Sequence, residues 1–353
     1  MKIIIKLLFI TLLFSACGKD NKKYNPDQRY QDPRKPLAWG DQKKIYGFAG
    51  DKAWKYSQNF LSKSLERYQF TTTNEQFFEF VREKHEKLDV YYKYKNLVFL
   101  CNLKGKDKIS QYVKGILSPK TKEIIKKDSA RIIVKRDLFA NNQIIVFAVG
   151  NNLENLLKYL YIKREKIFEE FKSELFQRIK RQIYKIDTIP QSSFSHLPWE
   201  MKIPKNYVVF RQDPENNFIS FLKRLRETPD RYIAVYYEKM DKNKIGKEWL
   251  IKKRRRIFKR YYEGDDFKKE DIRQEVVNFA DRKAFKISGR WQNEQYIVGG
   301  AFQAFAFYDQ KRKLAFIVDN SVYYPEGDKI EALIETEIIS RTIKLKEIKR
   351  SSK

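Results

Sequence analysis

The sequence predicts a mixed α+β fold, with antiparallel sheets and packed helices arranged as two related α+β modules in tandem. Three observations carry this. Short runs rich in Ile, Val, Phe and Tyr recur in pairs around polar turns, the spelling of strand hairpins. From Leu153 to Tyr184, apolar residues repeat at three and four positions, the period of a helix. The segment 188–204, with Pro190, Pro198, Pro204 and three serines, separates two halves that share an order of strands, helix, strand pair and helix.

Taken in order, Lys44–Ala49 reads as a first strand, and Asp51 opens a helix with Trp54, Phe60, Leu61 and Leu65 on one face. Phe77, Phe78 and Val81 suggest a short helix over Glu75–Lys87, and Tyr91–Leu103 one long strand or a strand pair. Ile109–Leu117 has helical spacing. Ser118-Pro119 starts another helix, with proline in the first turn where its missing N–H costs nothing. Ala130–Lys135 and Gln143–Val149 are strand-like. The long helix that follows carries its charges opposite the apolar stripe, and the stripe drifts from strict heptads, which favours packing on a sheet over a coiled coil. Beyond the connector, Tyr207–Phe210, Phe218–Phe221 and Tyr232–Tyr237 are strands, and Ile245–Tyr262 is a helix ended by Gly264. Phe285–Gly289, Tyr296–Tyr308 and Lys313–Tyr323 are strands, and Asp328–Arg341 is a closing helix. Arg136–Phe147 is loosely echoed by Gly289–Val298, which supports the reading of a repeated module.

The beginning of the chain is different in kind. Lys2 and Lys6 precede an apolar run from Leu7 to Phe14, too short to span a bilayer core of about 30 Å. Small residues then lead to Cys17, the pattern of a processed secretory signal. Ser15-Ala16-Cys17 resembles a lipobox, and that resemblance implies that Cys17 becomes an acylated N-terminus, a membrane partner through its lipid. Gly18 stands where many Gram-negative bacteria place an aspartate to hold lipoproteins at the inner membrane, so the outer membrane is favoured, with the folded part at the periplasmic face or the cell surface. Lys19–Gln42 is polar, carries Pro26, Pro33 and Pro36, and has almost no aliphatic residues, as a tether does. The expected organisation is a signal over 1–16, a tether over 17–42, a first module over 43–187, a connector over 188–204 and a second module over 205–348.

The 353 residues, less the 16 of the signal, suffice for one large domain or two smaller ones, and 42% hydrophobic content excludes a disordered chain. The formal net charge of +29 is spread along the sequence and accompanies a richness in Lys, Ile, Asn and Tyr, so composition explains it as well as a binding face does. An exported chain meets no nucleic acid, and none is expected as a partner. An anionic envelope component is the remaining candidate, and no protein partner is indicated. Cys101, in Leu97–Leu103, reads as a buried core thiol.

In the second half, Ile203-Pro204-Lys-Asn-Tyr207, Phe218–Arg224 and Tyr232–Tyr237 are followed by Ser288-Gly-Arg-Trp291, Gly299-Gly-Ala-Phe302 and Val322-Tyr-Tyr-Pro325, with Lys329 behind. This succession resembles an uncharacterised family of lipoproteins of Bacteroidetes-type bacteria, domain of unknown function 4837. Asp51-Lys-Ala-Trp54 is similar too. The resemblance implies a lipoprotein with an α+β domain and brings no site residues.

The densest basic run is Lys252, Lys253, Arg254, Arg255, Arg256, Lys259 and Arg260, a candidate grip on phosphates or else a solvated helix face with Leu250, Ile257, Phe258 and Tyr261 turned inward. Gly299-Gly300 lacks the following helix that a phosphate loop needs, which favours close backbone packing inside a strand. His85 and His196 have no second ligand at metal spacing. Glu169-Glu170 and Asp265-Asp266 are paired only by adjacency, and the five tryptophans (Trp39, Trp54, Trp199, Trp249, Trp291) either line a sugar groove or fill cores. No catalytic residue, metal or cofactor is assigned. The expectation is a lipid-anchored binding or structural module of the envelope, with a hydrolase acting on an envelope polymer as the alternative.

Overall fold

A computed structural model describes residues 32–71, 74–325 and 327–347. Cys17 lies outside them. The chain forms two compact units: the first runs to Arg67 and resumes over Gln76–Arg178, and the second comprises Tyr68–Glu75 and everything from Ile179.

The first unit opens with β1 (Lys44–Ala49) and α1 (Asp51–Leu65). A ribbon of β2 (Tyr68–Phe70) and β3 (Asn74–Gln76) comes next in sequence and falls mostly to the second unit. The first unit continues with β4 (Glu79–Glu83), α2 (Leu88–Tyr91), β5 (Asn96–Asn102), α3 (Lys108–Ile116), α4 (Pro119–Asp128), β6 (Ala130–Arg136), β7 (Ile144–Gly150) and most of α5 (Leu153–Ile183). Its sheet has the order β4-β1-β5-β7-β6. The first four strands pair in parallel and only β6 is antiparallel. The mixed α+β class holds, but the antiparallel pairing expected for this half does not. The reason is in the side chains. Leu97–Cys101 and Ile144–Val149 are buried without interruption, because helices cover both faces of the sheet, and parallel strands covered on both faces lose the apolar–polar alternation. One face packs Phe48, Phe99, Cys101 and Phe147 against Ile109, Val113 and Ile125. The expected helix over Glu75–Lys87 is instead the end of β3, strand β4 and a single helical turn over His85–Lys87; in β4 Phe80 is buried while Glu79 and Arg82 are exposed.

Part of the expected tether is structured. From Asp32 the chain lies on the first unit: Asn141 donates its side-chain amide to the carbonyls of Asp32 (2.7 Å) and Lys35 (3.0 Å), and Trp39 N–H donates to Lys93 O at 3.1 Å. On α5 the charges are not all solvated. Glu174 and Arg178 are buried, and Arg178 donates to Asn96 Oδ1 (2.9 Å) and to the carbonyls of Lys95 (2.9 Å) and Asn142 (2.8 Å).

The second unit holds β8 (Trp199–Glu200), β9 (Val208–Asp213), β10 (Phe218–Lys223), β11 (Asp230–Lys239), α6 (Lys247–Tyr261), β12 (Arg273–Phe279), β13 (Arg282–Asn293), β14 (Val298–Asp309), β15 (Leu314–Tyr323), α7 (Ile330–Ser340) and β16 (Lys344–Leu345). Its seven-stranded sheet is antiparallel throughout, in the order β12-β13-β14-β15-β11-β10-β9. Helix α6 contributes Leu250, Ile251, Ile257 and Phe258 to one core with Phe302, Ala304 and Ile317 of the sheet. Every residue of α7 except Glu331 is buried, and its Ala332 and Leu333 pack on Ala301 and Val322. A helix apolar all round is one that is enclosed. The two units therefore differ in strand count, order and pairing direction, and the expected duplication is corrected: one strand–helix–strand spelling serves both a parallel crossover and an antiparallel hairpin.

The Pro/Ser-rich stretch 188–204 is no loose connector either. Phe194, Trp199, Met201 and Ile203 are buried, and β8 pairs with β16. Gly300 sits inside β14, where an added Cβ would come within 2.0 Å of Val322 O and 2.6 Å of the Trp291 ring, so the glycine pair serves close packing.

Candidate functional site

The basic run of α6 is taken apart by its neighbours. Lys253 Nζ lies 2.7 Å from Glu238, Arg255 Nε 2.7 Å and Lys259 Nζ 3.3 Å from Asp266, and Arg260 Nη2 3.2 Å from Asp213. Arg254 turns into the protein. Its Nε meets Asp319 Oδ2 at 2.5 Å, Nη2 donates to Ser321 Oγ at 3.2 Å, and Ser321 Oγ donates to Asp319 Oδ1 at 2.8 Å. The guanidinium also stacks 3.5 Å from the centroid of Phe302 and 3.9 Å from that of Phe258. Burial pushes Asp319 up and Arg254 down, each opposed by the partner's charge. Only Lys252 and Arg256 of the seven have no acidic partner among the described residues, and both are exposed.

The adjacent carboxylates at 265 and 266 face different surroundings. Asp265 is half-buried and takes a hydrogen bond from Asn293 Nδ2 at 2.8 Å, and burial raises it to about 6. Asp266 is held below the usual range, its burial outweighed by the Phe267 N–H and the two cations. Such a split is what acid–base chemistry uses. Here the two groups have separate partners, and neither lines either of the cavities described below. Glu169 pairs with Lys172 and Glu170 with Arg136.

One cavity of the second unit, about 740 Å³, is an open groove. The end of α5 supplies Lys180 and Tyr184, the following turn Asp187 and Thr188, and the stretch before β9 supplies Lys202. The tight turn from β12 to β13 brings Ala280, Asp281 and Arg282, and the chain leaving α7 adds Arg341 to Lys344. Five of the lining residues are cations and two are acids. Tyr184 OH donates to Lys202 O at 3.2 Å, and Lys202 N–H to Thr342 Oγ1 at 2.9 Å, so the walls are cross-linked. Arg282 donates to Ala280 O at 2.7 Å. Asp187 is paired with Lys205 at 3.1 Å. A second cavity of about 150 Å³ lies over Glu335, whose carboxylate is clamped by Tyr207 OH (3.0 Å), Lys223 (2.8 Å) and Arg231 (2.9 Å).

Sequence reasoning did not find the groove. Its cations stand singly at 180, 202, 282, 341 and 344, with no local pattern to join them, and the strand β12 that delivers Arg282 went unread. The other candidates fall elsewhere. Cys101 is buried in the first unit with its thiol pushed up to about 12. His196 is exposed, and His85 meets the Tyr112 ring at 6.5 Å. Trp54, Trp199 and Trp291 are core residues, Trp249 is half-buried and Trp39 exposed. Among the described residues no group of three His, Cys, Asp or Glu is placed to hold a metal ion.

The second unit is thus an α+β domain with a seven-stranded antiparallel sheet between two helices and a cationic groove at one end. Its residues 191–342 match the family model described as domain of unknown function (DUF4837). No match is found among the curated proteins. Among solved structures, one from Bacteroides thetaiotaomicron is 13% identical over 42% of this chain and 46% of that one, with a TM-score of 0.25, so the chain spans less than half of that protein. The Ran-binding protein Mog1p of Saccharomyces cerevisiae is 10% identical over 42% of this chain and 90% of its own, with a TM-score of 0.29. LpqN of Mycobacterium tuberculosis, described as involved in cell envelope biogenesis, is 7% identical over 41% and 81%, with a TM-score of 0.26.

Proposed function

We propose that this chain is a lipoprotein of the bacterial envelope, held in the outer membrane by an acylated Cys17, which binds an anionic envelope component and does not cleave it. The observation that carries the anchor is the order of residues at the start: two lysines, a short apolar run, then Ser15-Ala16-Cys17 without a following aspartate. One acyl chain binds membranes only marginally, so lasting attachment takes a multiply acylated cysteine. No described helix is long and apolar enough to cross a membrane. Gly18–Gln31 reaches at most about 50 Å when extended, which is the distance allowed to the first residue laid on the first unit.

Binding is favoured over hydrolysis by where the carboxylates and cations stand. Asp319 is paired with Arg254, Asp266 with Arg255 and Lys259, and the groove is lined by five cations against two acids, one of which, Asp187, is paired with Lys205. Metabolic labelling with palmitate tests the anchor. The wild-type chain takes up label and partitions with membranes, and Cys17→Ser loses both; a Cys17→Ser chain that keeps its label overturns the reading.

A further inference from the structure

We infer that the groove of the second unit is a binding site for a phosphorylated sugar, with Lys202, Arg282 and Lys344 taking the phosphate and Asp281 taking a sugar hydroxyl. The inference deepens the proposed envelope-binding role and rests on it.

The charge arrangement is the first ground. On α6, in the same unit, five of eight cations are answered by a carboxylate within 4 Å. In the groove the balance is reversed. Asp187 is engaged by Lys205, which does not line the cavity, and Lys202, Arg282 and Lys344 have no acidic partner among the described residues. Two other lining cations have a structural explanation. Lys180 lies in the last turn of α5, and Arg341 follows the last residue of α7 and pairs with Glu337, so both answer the partial negative charge of a helix C-terminus. The same argument does not cover the remaining three, which come from an extended stretch, a strand start and β16. Their mutual repulsion is a standing cost that an anion removes.

The second ground is preorganisation. Arg282 is fixed by its bond to Ala280 O and by its contact with the Phe307 ring, 5.6 Å from the centroid, and the main chain that carries Lys202 by the bond from its backbone N–H to Thr342. The rim turn holds Ala280 at φ +48° and Asp281 at φ +61°, left-handed positions that non-glycine residues occupy at a cost, as the two-residue hairpin requires. That geometry places Asp281 in the lining without a cationic partner among the described residues. A lone carboxylate beside three cations weakens the binding of a bare anion but accepts a hydrogen bond from a hydroxyl, which favours a ligand carrying both groups. A volume of about 740 Å³ suits a ligand of one or two sugar rings.

Isothermal titration calorimetry of the purified chain tests this with glucose 1-phosphate, glucose and inorganic phosphate as probes. Glucose 1-phosphate is expected to bind, more tightly than inorganic phosphate, with an affinity that falls as salt is raised. The triple variant Lys202→Ala, Arg282→Gln, Lys344→Ala weakens it by at least roughly tenfold, since three charge-assisted contacts are lost. Lys344→Ala alone, at an exposed position, gives a smaller loss in the same direction if the triple variant does not fold. The pair Lys252→Ala and Arg256→Ala, which removes two exposed cations of α6, leaves binding unchanged. Asp281→Asn narrows the preference for glucose 1-phosphate over inorganic phosphate. Flotation with phosphatidylcholine vesicles containing monophosphoryl lipid A, performed on the Cys17→Ser chain, distinguishes a lipid-linked from a free sugar phosphate: co-flotation lost in the triple variant identifies the former, and calorimetric binding without co-flotation the latter. Absence of binding to every probe, or equal affinity in the triple variant, overturns the inference, and neither result bears on palmitate labelling of Cys17.

Discussion

Glu75 caps a helix that begins 255 residues after it: its Oε2 receives the N–H of Lys329 at 2.6 Å and that of Ile330 at 3.1 Å. Helix α7 has no capping side chain of its own at Lys329, and it is enclosed, so water does not satisfy its first N–H groups. Thr71 Oγ1 donates to the other carboxylate oxygen at 2.6 Å, and the buried Lys329 ammonium lies 3.5 Å from it. The segment Tyr68–Glu75 thereby joins the second unit through the polar contacts of Thr71 and Glu75. Glu75→Ala leaves two helix N–H groups without their acceptor and a buried ammonium without its counter-charge, and the expected cost is about 3 kcal/mol in urea unfolding, with Glu75→Gln losing less. A loss within about 0.5 kcal/mol for the alanine variant, the range of an ordinary surface substitution, contradicts this account of the cap.

The ion pair beneath α6 has a different logic. Arg254 and Asp319 are both almost fully enclosed, and burial disfavours the charge on each. Removing one partner strands the other, so Asp319→Ala is expected to cost about 3–5 kcal/mol, whereas a joint Arg254→Met, Asp319→Leu change recovers most of that loss. A double-mutant cycle by chemical denaturation measures it; additive costs show that the pair is not coupled.

How much of this was legible depends on the range over which each feature is encoded. Helices α3, α4 and α5 declare themselves through local period and capping residues: Asp107 accepts the N–H of Ser110, and Ser118 that of Thr121. The enclosure of α7 is visible in Ile330–Ile339 itself, but its cap at Glu75 is not, because nothing near position 75 refers to position 329. Strand β4 resembles a helix in sequence because Phe77, Phe78 and Val81 fall at helical spacing; its conformation is settled by the parallel ladder with β1, a partner some 35 residues away. Strand β12 went unread because it is an edge, mostly exposed, with a ladder on β13 alone. The α6 basic run looked like a site because sequence shows cations and not the carboxylates of Glu238, Asp266 and Asp319 that answer them. The groove had the opposite fate, assembled from single residues that only the fold brings together.

Cys101 offers a check on the first unit. Its side chain is enclosed, its Sγ lies 3.7 Å from Ser110 O, and burial pushes the thiol up to about 12. At pH 8 the thiolate fraction is then about one part in ten thousand. In a Cys17→Ser chain, where Cys101 is the sole thiol, a disulfide reagent such as Ellman's is expected to react only as fast as the first unit opens, and to react promptly in urea. Prompt reaction under native conditions places the thiol outside the core.

Asp265 gives the second unit a pH dependence whose sign follows from its direction of shift. Burial raises its folded-state value from 3.8 to about 6, so between these values the folded state binds the proton and the unfolded state releases it. Stability contributed by the protonated carboxyl is fully present below the unfolded value and is lost as pH rises through about 6. Asp265→Asn keeps an acceptor for Asn293 Nδ2, now 2.8 Å from Oδ1, and removes the ionisation. The variant is therefore expected to melt several degrees above wild type at pH 7.5, a difference that shrinks toward pH 5, where wild type is largely protonated at this position. Thermal unfolding of both chains across pH 4.5 to 8 measures the gap. A constant difference over that range, or one that widens as the pH falls, shows that Asp265 is not the group whose proton the folded state retains.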